Sequence, residues 1–319
     1  MTTNDLHVVL GATGGTGSAV VRALEERGCR VRAASRRGDA EVPAGVEPVA
    51  ADVTQADDLR RVLDGAAVVY HCAQPEYPRW AQDFPGMNRA VLAGCEEAGA
   101  VLVFADNLYM YDPSEPISEA TPEVAPTQRG RLRKAMADEL LGAHREGRVR
   151  VRIGRSSDYF GPRGLGTTLG ERLFPSILAG KKTQWMGSLD APHTASYLPD
   201  MGRALAILGE QDGADGRAWV LPADAPLTGR EFIALAAEAA GTEPKLAVIT
   251  PGMMRMAGLF SPMIRAYAEM LPQWTRPFTV DAGTFATAFG PFEVTPNAEA
   301  IATTVAWFRS HAAASSAAA

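Results

Sequence analysis

Short, continuous apolar runs alternate with helix-like stretches through the first half of the chain. The apolar runs predict strands at residues 8–10, 30–34, 46–50, 67–71, 101–105 and 148–153. The stretches between them predict helices at residues 18–27, 57–63, 80–99 and 130–145. A strand buried on both faces consists of unbroken apolar residues, so this alternation predicts a parallel sheet covered by helices on both sides. The predicted fold class is therefore α/β, a doubly wound parallel sheet of the Rossmann type.

The alternation loosens after about residue 155, where proline and glycine become frequent. Helices are predicted at residues 169–179, 200–209, 228–240 and 296–311, mixed with short strands. We therefore predict a first domain over residues 1–155 and a smaller α+β substrate lobe over residues 156–311, intertwined with it. The Ala/Ser-rich segment 312–319 is predicted to be a disordered tail.

The first strand ends in a glycine-rich turn that leads directly into the first helix. Residues 11–17 are Gly-Ala-Thr-Gly-Gly-Thr-Gly. Gly11 lets the backbone leave the strand, Gly14 removes a side chain where a pyrophosphate must approach, and Gly17 lets the helix pack close to the strand. The free N–H groups at the helix start favour a phosphate. A glycine motif alone is weak evidence, but its place between strand and helix indicates dinucleotide binding.

The spacing Gly-x-x-Gly-x-x-Gly resembles that of the extended and atypical branches of the short-chain dehydrogenase/reductase superfamily, known as the NAD-dependent epimerase/dehydratase family. The resemblance covers most of residues 5–210. It implies that the cofactor contacts the glycine turn and the loops that follow the next strands, with Asp52 and Val53 at the adenine ring. The residues assigned to the cofactor are Gly11, Thr13, Gly14, Gly15, Thr16, Gly17, Ser35, Arg36, Arg37, Asp52, Val53, Ala73, Gln74 and Lys134.

The end of the second strand distinguishes two cofactors. A domain that binds NAD usually has an acidic residue there, which binds the ribose hydroxyls. This chain has Ala34-Ser35-Arg36-Arg37 instead, and a guanidinium suits the 2′-phosphate of NADP. The alternative is that both arginines lie in a solvated turn. We predict NADP as the cofactor, with NAD as the second choice.

The catalytic motif that the resemblance implies is incomplete. The family has a Ser or Thr after the fifth strand and a Tyr-x-x-x-Lys motif on the next helix, whose tyrosine is the acid/base. Here Asn107 takes the Ser/Thr position, and Lys134 matches the lysine but follows Gly130 by four residues. Shifting the alignment by one residue pairs Arg133 with Arg129, so neither alignment supplies a tyrosine. Either Lys134 or Arg133 is then the candidate to bind the nicotinamide ribose.

Two tyrosines are candidates to replace the missing acid. Tyr109 follows Asn107 by two residues and shares its side of an extended chain. Tyr159 is the second candidate, and a phenol needs a nearby cation such as Lys134 to lower its pKa. The predicted catalytic residues are Asn107, Tyr109 and Lys134. The alternative for Tyr109 is a packing role beneath the loop.

The lobe contains three residues that we assign to the substrate: Tyr159, Trp185 and His193. Residues 251–278 add a run rich in methionine and aromatic side chains. Because methionine adapts to irregular apolar shapes, this run suits a lid or wall for an apolar substrate, while an ordinary place in the lobe's core is the favoured alternative. His71, at the end of the fourth strand, is predicted to be buried and hydrogen-bonded rather than catalytic.

Composition and charge narrow the range of partners. The chain has 319 residues and a formal net charge of −6, which gives no support to nucleic-acid or anionic-membrane binding. The N-terminus has no signal-peptide core, and no stretch of about 18 uninterrupted apolar residues occurs. The three cysteines and five histidines lack metal-type spacing. We expect a cytoplasmic protein, monomeric or homodimeric and without a metal, that acts on a small molecule.

Together these patterns predict an NADP-dependent oxidoreductase. It would transfer hydride to a small or medium apolar carbonyl or alkene held near Asn107 and Tyr109. Two alternatives remain open. One is an epimerase, isomerase or dehydratase that uses the same pocket, and the other is a non-catalytic protein that senses NADP.

Overall fold

The computed structural model describes residues 4–112 and 115–317 of the chain. The strands in these residues are β1 (Leu6–Leu10), β2 (Arg30–Ser35), β3 (Glu47–Ala50), β4 (Ala66–His71), β5 (Val101–Asn107), β6 (Val151–Ser156), β7 (Tyr159–Phe160), β8 (Thr183–Met186), β9 (Ser196–Tyr197), β10 (Arg217–Val220) and β11 (Leu246–Ile249). The α-helices are α1 (Gly15–Glu26), α2 (Ala56–Leu63), α3 (Trp80–Ala98), α4 (Gln128–Arg145), α5 (Phe174–Leu178), α6 (Leu198–Glu210), α7 (Gly229–Ala240), α8 (Pro251–Gly258), α9 (Pro262–Ala268), α10 (Pro272–Thr275), α11 (Gly283–Phe289) and α12 (Asn297–Ala317).

Seven strands form one parallel sheet, in the order β10-β6-β5-β4-β1-β2-β3. The predicted doubly wound parallel sheet is therefore confirmed, and all six predicted strands are present in it. The seventh strand, β10, comes from within the predicted substrate lobe. It was missed because it is only four residues long and begins at an exposed arginine.

The strand order of the sheet reverses at β1, and this reversal determines where a ligand can bind. The chain leaves β1 towards β2 and β3 on one side, and returns to place β4 on the other side. The connections that follow β1 and β4 therefore move apart and leave a crevice at the carboxyl ends of these strands, the usual ligand site of such sheets.

Hydrophobic packing on both faces of the sheet fixes this geometry. All five residues of β1 are buried. Val8 and Leu10 belong to the apolar cluster that also contains residues of α2, α3 and α4, whereas Val9 belongs to the cluster formed with α1 and α6. A Cβ atom at Gly202 of α6 would lie 2.4 Å from the carbonyl oxygen of Ala19, so α1 and α6 cross in close backbone contact.

The C-terminal lobe has its own aromatic core. This cluster includes Phe160, Phe174, Trp185, Phe232 and Phe308, and it joins α5, α7 and α12. The helix predicted for residues 169–179 is present only as the shorter α5, because the chain turns tightly around Gly170, where a Cβ atom would lie 2.0 Å from the Gly164 carbonyl oxygen. The last helix, α12, extends to Ala317, well into the segment that was predicted to be a disordered tail. The final two residues of that segment lie outside the described residues.

Candidate active site

The glycine turn after β1 has the geometry of a phosphate-binding loop. Gly11 has a φ angle of +83°, and its N–H donates to the Ala34 carbonyl at 3.0 Å. A Cβ atom at Gly17 would lie 2.2 Å from the Gly11 carbonyl oxygen, so only glycine allows α1 to begin so close to the strand. The first turn of α1 has no capping side chain and no acidic residue. Its N–H groups and the positive end of its dipole therefore remain available to an anion.

A cleft of about 820 Å³ lies over this turn and crosses the ends of β1, β2 and β4. Most residues predicted to bind the cofactor line it: Gly11, Thr13, Gly14, Gly15, Thr16, Ser35, Arg36, Asp52, Val53, Ala73 and Gln74. Gly17 contributes close packing behind the turn rather than a lining surface. Arg37 points away, because its Nε atom pairs with Asp39 at 2.5 Å on the exposed surface. The structure thus brings together all but three of the predicted cofactor residues.

The end of this cleft at β2 has a basic rather than an acidic edge. Arg36 is exposed there and forms no ion pair with any described residue. Asp52 is engaged locally, since its Oδ1 atom accepts hydrogen bonds from the Thr54 N–H at 2.9 Å and from its hydroxyl at 2.7 Å. Arg36 is therefore the charged side chain at the end of β2 that faces the cleft.

A second cleft, of about 370 Å³, adjoins the first. The two clefts share Thr16, Tyr159 and the residues 72–76 that follow β4. Its remaining walls come from seven separate segments and include the predicted residues Asn107 and Tyr109. Further aromatic and apolar lining residues are Tyr77, Trp80, Phe84, Met201, Met263 and Tyr267.

Arg133, not Lys134, enters this second cleft from α4. The Arg133 side chain is 3 % exposed, and its Nε atom lies 2.7 Å from Asp106 Oδ1. Its guanidinium lies 4.9 Å from the ring centres of both Phe84 and Phe104. Lys134 lines neither cleft, because its ammonium group binds the exposed Asp138 at 2.8 Å.

The phase of α4 explains this difference. The buried positions of the helix include Gly130, Arg133, Met136, Ala137 and Leu140, which follow a spacing of three and four residues. That apolar pattern contained the signal that position 133 faces inward and position 134 outward. Matching Lys134 to a family motif took no account of it.

The start of α4 also has no room for a side chain at position 130. A Cβ atom at Gly130 would lie 2.3 Å from the carbonyl oxygen of Tyr109. In the shifted alignment, Arg129 precedes Arg133 by four residues, and it pairs with Glu269 while its guanidinium lies 4.4 Å from the Tyr77 ring centre. Of the two alignments, the one that pairs Arg129 with Arg133 therefore places the residue at the lysine position in the cleft, since Arg133 lines the cleft and Lys134 does not.

Asp106, which the sequence analysis overlooked, neutralises the arginines at the base of the cleft. Its fully buried carboxylate binds Arg133 through one oxygen and Arg155 through the other, at 3.0 Å from the Arg155 Nε atom. Arg155 also donates to Glu123 at 2.6 Å and to the Tyr111 hydroxyl at 2.5 Å. A buried charge without a partner is costly, so this network holds two guanidinium groups beneath the site in fixed positions.

The phenols in the cleft stay protonated at neutral pH. Burial raises the pKa of Tyr109 well above 10, and the nearby Tyr77 and Asp158 raise it further. Burial also raises the pKa of Tyr159, although hydrogen bonds with Gln74 and Thr16 oppose this shift. These phenols can donate hydrogen bonds to a substrate oxygen, but they are poor proton acceptors at neutral pH.

His71 has a packing role at the end of β4. It is 1 % exposed, and its ring lies between those of Phe84 and Phe104. Burial lowers its pKa to about 3, so the imidazole is neutral at physiological pH. Neither ring nitrogen has a hydrogen-bond partner among the described residues, so the expected burial is present without the expected hydrogen bond.

Asp158, two residues after the end of β6, is a second acidic residue that the sequence analysis did not select. It lines the second cleft. Its Oδ2 atom accepts hydrogen bonds from Gln273 Nε2 at 2.8 Å and from His193 Nε2 at 3.1 Å. The His193 ring is stacked between Trp274 and Phe278, with centroid distances of 4.2 and 5.2 Å.

Two of the three residues predicted to contact the substrate therefore lie behind the cleft. His193 supports Asp158 from the second layer and does not line the cleft. Trp185 is 3 % exposed and packs against Trp274 and Phe232 in the core of the lobe. Tyr159 does line the cleft, as expected.

The methionine-rich segment covers the cleft on the lobe side. Tyr267 of α9 stacks on Tyr77, with ring centres 5.1 Å apart and planes inclined by 22°. Arg129 lies over the Tyr77 ring, and Arg172 lies 4.8 Å from the Tyr267 ring centre. This stack joins the lobe to the loop after β4. The other residues of the segment differ in exposure: Met254 and Trp274 are buried, whereas Phe260 is 89 % exposed.

The fold is that of a Rossmann-like α/β protein, with two adjoining clefts at the carboxyl ends of its parallel strands. The chain belongs to the NAD dependent epimerase/dehydratase family, whose model matches residues 7–221. No curated protein sequence shows significant similarity to the chain.

Several solved structures share the fold over nearly the whole chain. The protein gox2253 is 22 % identical and has a TM-score of 0.78, with 97 % of this chain and 99 % of that one covered. A nucleoside-diphosphate-sugar epimerase from Pseudomonas aeruginosa is 19 % identical, with a TM-score of 0.75 and coverage of 96 % and 98 %. A UDP-glucuronic acid 4-epimerase from Bacillus cereus, solved with UDP-glucuronic acid and NAD, is 16 % identical, with a TM-score of 0.78 and coverage of 96 % and 99 %. At these identities the similarity establishes the fold.

Membrane-spanning and metal-binding features were also sought in the described part of the chain. None of its helices combines the length and the apolar character that crossing a bilayer requires. Residues 4–112 and 115–317 contain no group of three His, Cys, Asp or Glu side chains placed to hold a metal ion.

Proposed function

We propose that the protein binds a nicotinamide dinucleotide along the first cleft and uses it on a small organic substrate in the second. The continuity of the two clefts at Thr16, Gln74 and Tyr159 carries this proposal, because hydride transfer requires the nicotinamide and the substrate to touch. The glycine turn fits the pyrophosphate, since Gly14 and Gly15 line the cleft beside the uncapped start of α1. Bound there, the dinucleotide supplies a donor or acceptor of hydride.

We place epimerisation or dehydration, in which the cofactor returns to its starting redox state, before net reduction. Membership of the family supports this order, and so does the likeness to structures of sugar epimerases. The sequence analysis favours the opposite order, with the oxidoreductase first and the epimerase or dehydratase as an alternative. Net reduction remains the second candidate, because the raised pKa of Tyr109 suits a phenol that donates to a carbonyl oxygen receiving hydride.

In this proposal the chain's own residues position the substrate and control its proton. Asn107 and Tyr109 donate hydrogen bonds to the reacting oxygen, since both line the second cleft. Arg133 replaces Lys134 as the contact to the nicotinamide ribose. Asp106 balances the charge of Arg133, so the free N–H groups of the Arg133 guanidinium suit neutral hydroxyls better than an anion.

We propose a preference for NADP over NAD at the adenosine end. Arg36 supports it, because this guanidinium, which pairs with no acidic side chain among the described residues, lines the first cleft at the end of β2. The UDP-glucuronic acid 4-epimerase from Bacillus cereus was solved with NAD, so the preference is a point on which this chain is proposed to differ.

The proposal is tested by following cofactor absorbance at 340 nm together with chromatography of the products. The purified protein is incubated with NADPH or NADP and a panel of ketones, enones, quinones and hydroxylated ring compounds. Product formation without net cofactor consumption supports an epimerase or dehydratase, and stoichiometric consumption supports the reductase. Tight cofactor binding without any product supports the non-catalytic alternative. Absence of cofactor binding contradicts the proposed function altogether.

A further inference from the structure

We propose that Asp158 selects the substrate class of this site, namely neutral compounds that present a free hydroxyl group to its carboxylate. The inference rests on the proposed function and adds the chemistry of the substrate to it. Small polyols and hydroxyketones belong to this class.

The first observation is where the carboxylate lies and how it is held. Asp158 lies two residues after the end of β6 and lines the second cleft, with its side chain 7 % exposed. Both of its hydrogen-bond donors, His193 and Gln273, bind the same oxygen, Oδ2. No described residue donates to Oδ1, so one face of the carboxylate keeps its capacity to accept.

The second observation is that the carboxylate cannot easily move away. The His193 ring is stacked between two aromatic rings, and Gln273 of α10 is only 5 % exposed. The Asp158 carbonyl also accepts a hydrogen bond from the Ser196 N–H at 2.9 Å, which ties the backbone to β9. The acceptor is therefore preorganised, which lowers the entropic cost of using it to bind a ligand.

The third observation is the charge around Asp158. His193 is its one basic partner among the described residues, through the 3.1 Å hydrogen bond, and no arginine or lysine of that part of the chain pairs with it. Of the two arginines that line the cleft, Arg133 is paired with Asp106 and Arg172 lies over an aromatic ring of the lobe. A buried carboxylate with unused accepting capacity favours a hydroxyl donor and disfavours an anion at the same position.

The surrounding wall supports the same class of ligand. Tyr109, Tyr77 and Trp80 line the cleft with aromatic side chains, which suit the apolar surface of a ring or short chain. A charged acceptor set in an aromatic wall suits a compact molecule with apolar faces and hydroxyl edges. The cleft of about 370 Å³ matches such a molecule in size.

The test is calorimetry on the protein saturated with NADPH, with two ring compounds as probes. trans-Cyclohexane-1,2-diol offers hydroxyl donors, whereas trans-1,2-dimethoxycyclohexane offers none. We expect the diol to bind at least about tenfold more tightly, since a hydrogen bond to a charged group contributes about 1.5–3 kcal/mol. Asp158→Asn should reduce this ratio several-fold. Asp190→Asn removes an exposed carboxylate that lines neither cleft and should leave the ratio at its wild-type value.

A second variant keeps the test decisive if Asp158→Asn unfolds. His193→Phe preserves the stack between Trp274 and Phe278 but removes the donor to Oδ2. We expect it to lower the diol-to-dimethoxy ratio while leaving dimethoxy binding unchanged, which a purely structural role would not do. An NADPH-bound wild type that does not prefer the diol overturns this inference alone. So does a ratio that neither variant changes. Failure of NADPH to bind overturns the proposed function as well.

Discussion

The two halves of the site are built by different means. The first cleft, where we propose that the dinucleotide binds, is formed at its glycine turn by backbone, through glycines that permit close approach and N–H groups at the start of α1. The second cleft, which we propose for the substrate, is formed mainly by long side chains that reach in from elements such as β5, α4, the loop after β6 and α9. Backbone shape follows from a short local motif, whereas the convergence of side chains depends on the whole fold. The first half was therefore accessible from the sequence, and much of the second was not.

The contrast between Arg133 and Lys134 gives the largest expected effect. Arg133→Leu leaves Asp106 with one of its two buried partners, and we expect it to lower the free energy of unfolding by about 3–5 kcal/mol. Lys134→Leu removes a partly exposed ion pair and should change that free energy by less than about 1 kcal/mol. Urea denaturation measures both. Equal effects would show that α4 does not present position 133 to the interior.

The proposed phosphate site in the first cleft is tested by adding a side chain to the glycine turn. Gly14 lines the cleft with an ordinary φ of −76°, so Gly14→Val obstructs the phosphate site without forcing a strained backbone. Loss of charge-assisted N–H contacts should weaken NADPH binding about 100-fold. The matched control is Gly142→Ala on α4, where the added methyl group meets only the end of Arg145 at 3.8 Å. Unchanged affinity in Gly14→Val would place the dinucleotide elsewhere.

Particular residues show where sequence-based prediction ended. The glycines, Asp52 and Gln74 were found because a strand–turn–helix motif and a family pattern fix their positions along the chain. Asp106 and Asp158 were missed because their partners, such as Arg133 and Gln273, lie 27 and 115 residues away in sequence. Trp185 was assigned to the substrate on residue type alone, and its burial in the lobe depends on packing that no local pattern encodes.

The aromatic stack of Tyr77 and Tyr267, between the lobe and the loop after β4, lines the second cleft. Tyr267→Leu removes a ring that contacts Tyr77 and Arg172 over the substrate cleft. With about 1 kcal/mol for each of the two ring contacts, we expect substrate KM to rise about 30-fold while NADPH affinity stays unchanged. Phe260→Ser alters an 89 % exposed residue of the same segment and should change neither quantity. A fall in NADPH affinity in Tyr267→Leu would mean that the two halves are not separable.

The smallest expected effect concerns the choice of cofactor. Arg36→Ala should weaken NADP binding about fivefold and leave NAD binding unchanged, because only NADP carries a phosphate for this exposed guanidinium. Arg37→Ala is the matched control, since Arg37 pairs with Asp39 outside the cleft. Calorimetry with both cofactors measures the difference. Equal losses for NADP and NAD would assign Arg36 a role other than recognition of the 2′-phosphate.

The most direct test is a crystal structure of the protein with NADP and trans-cyclohexane-1,2-diol. We predict that the pyrophosphate lies over the N–H groups of Gly15 and Thr16 and that the nicotinamide reaches Tyr159. The diol should occupy the adjoining cleft within hydrogen-bond distance of Asp158 Oδ1. A dinucleotide bound away from the glycine turn would contradict the account, as would a nicotinamide separated from the cleft lined by Asn107 and Tyr109.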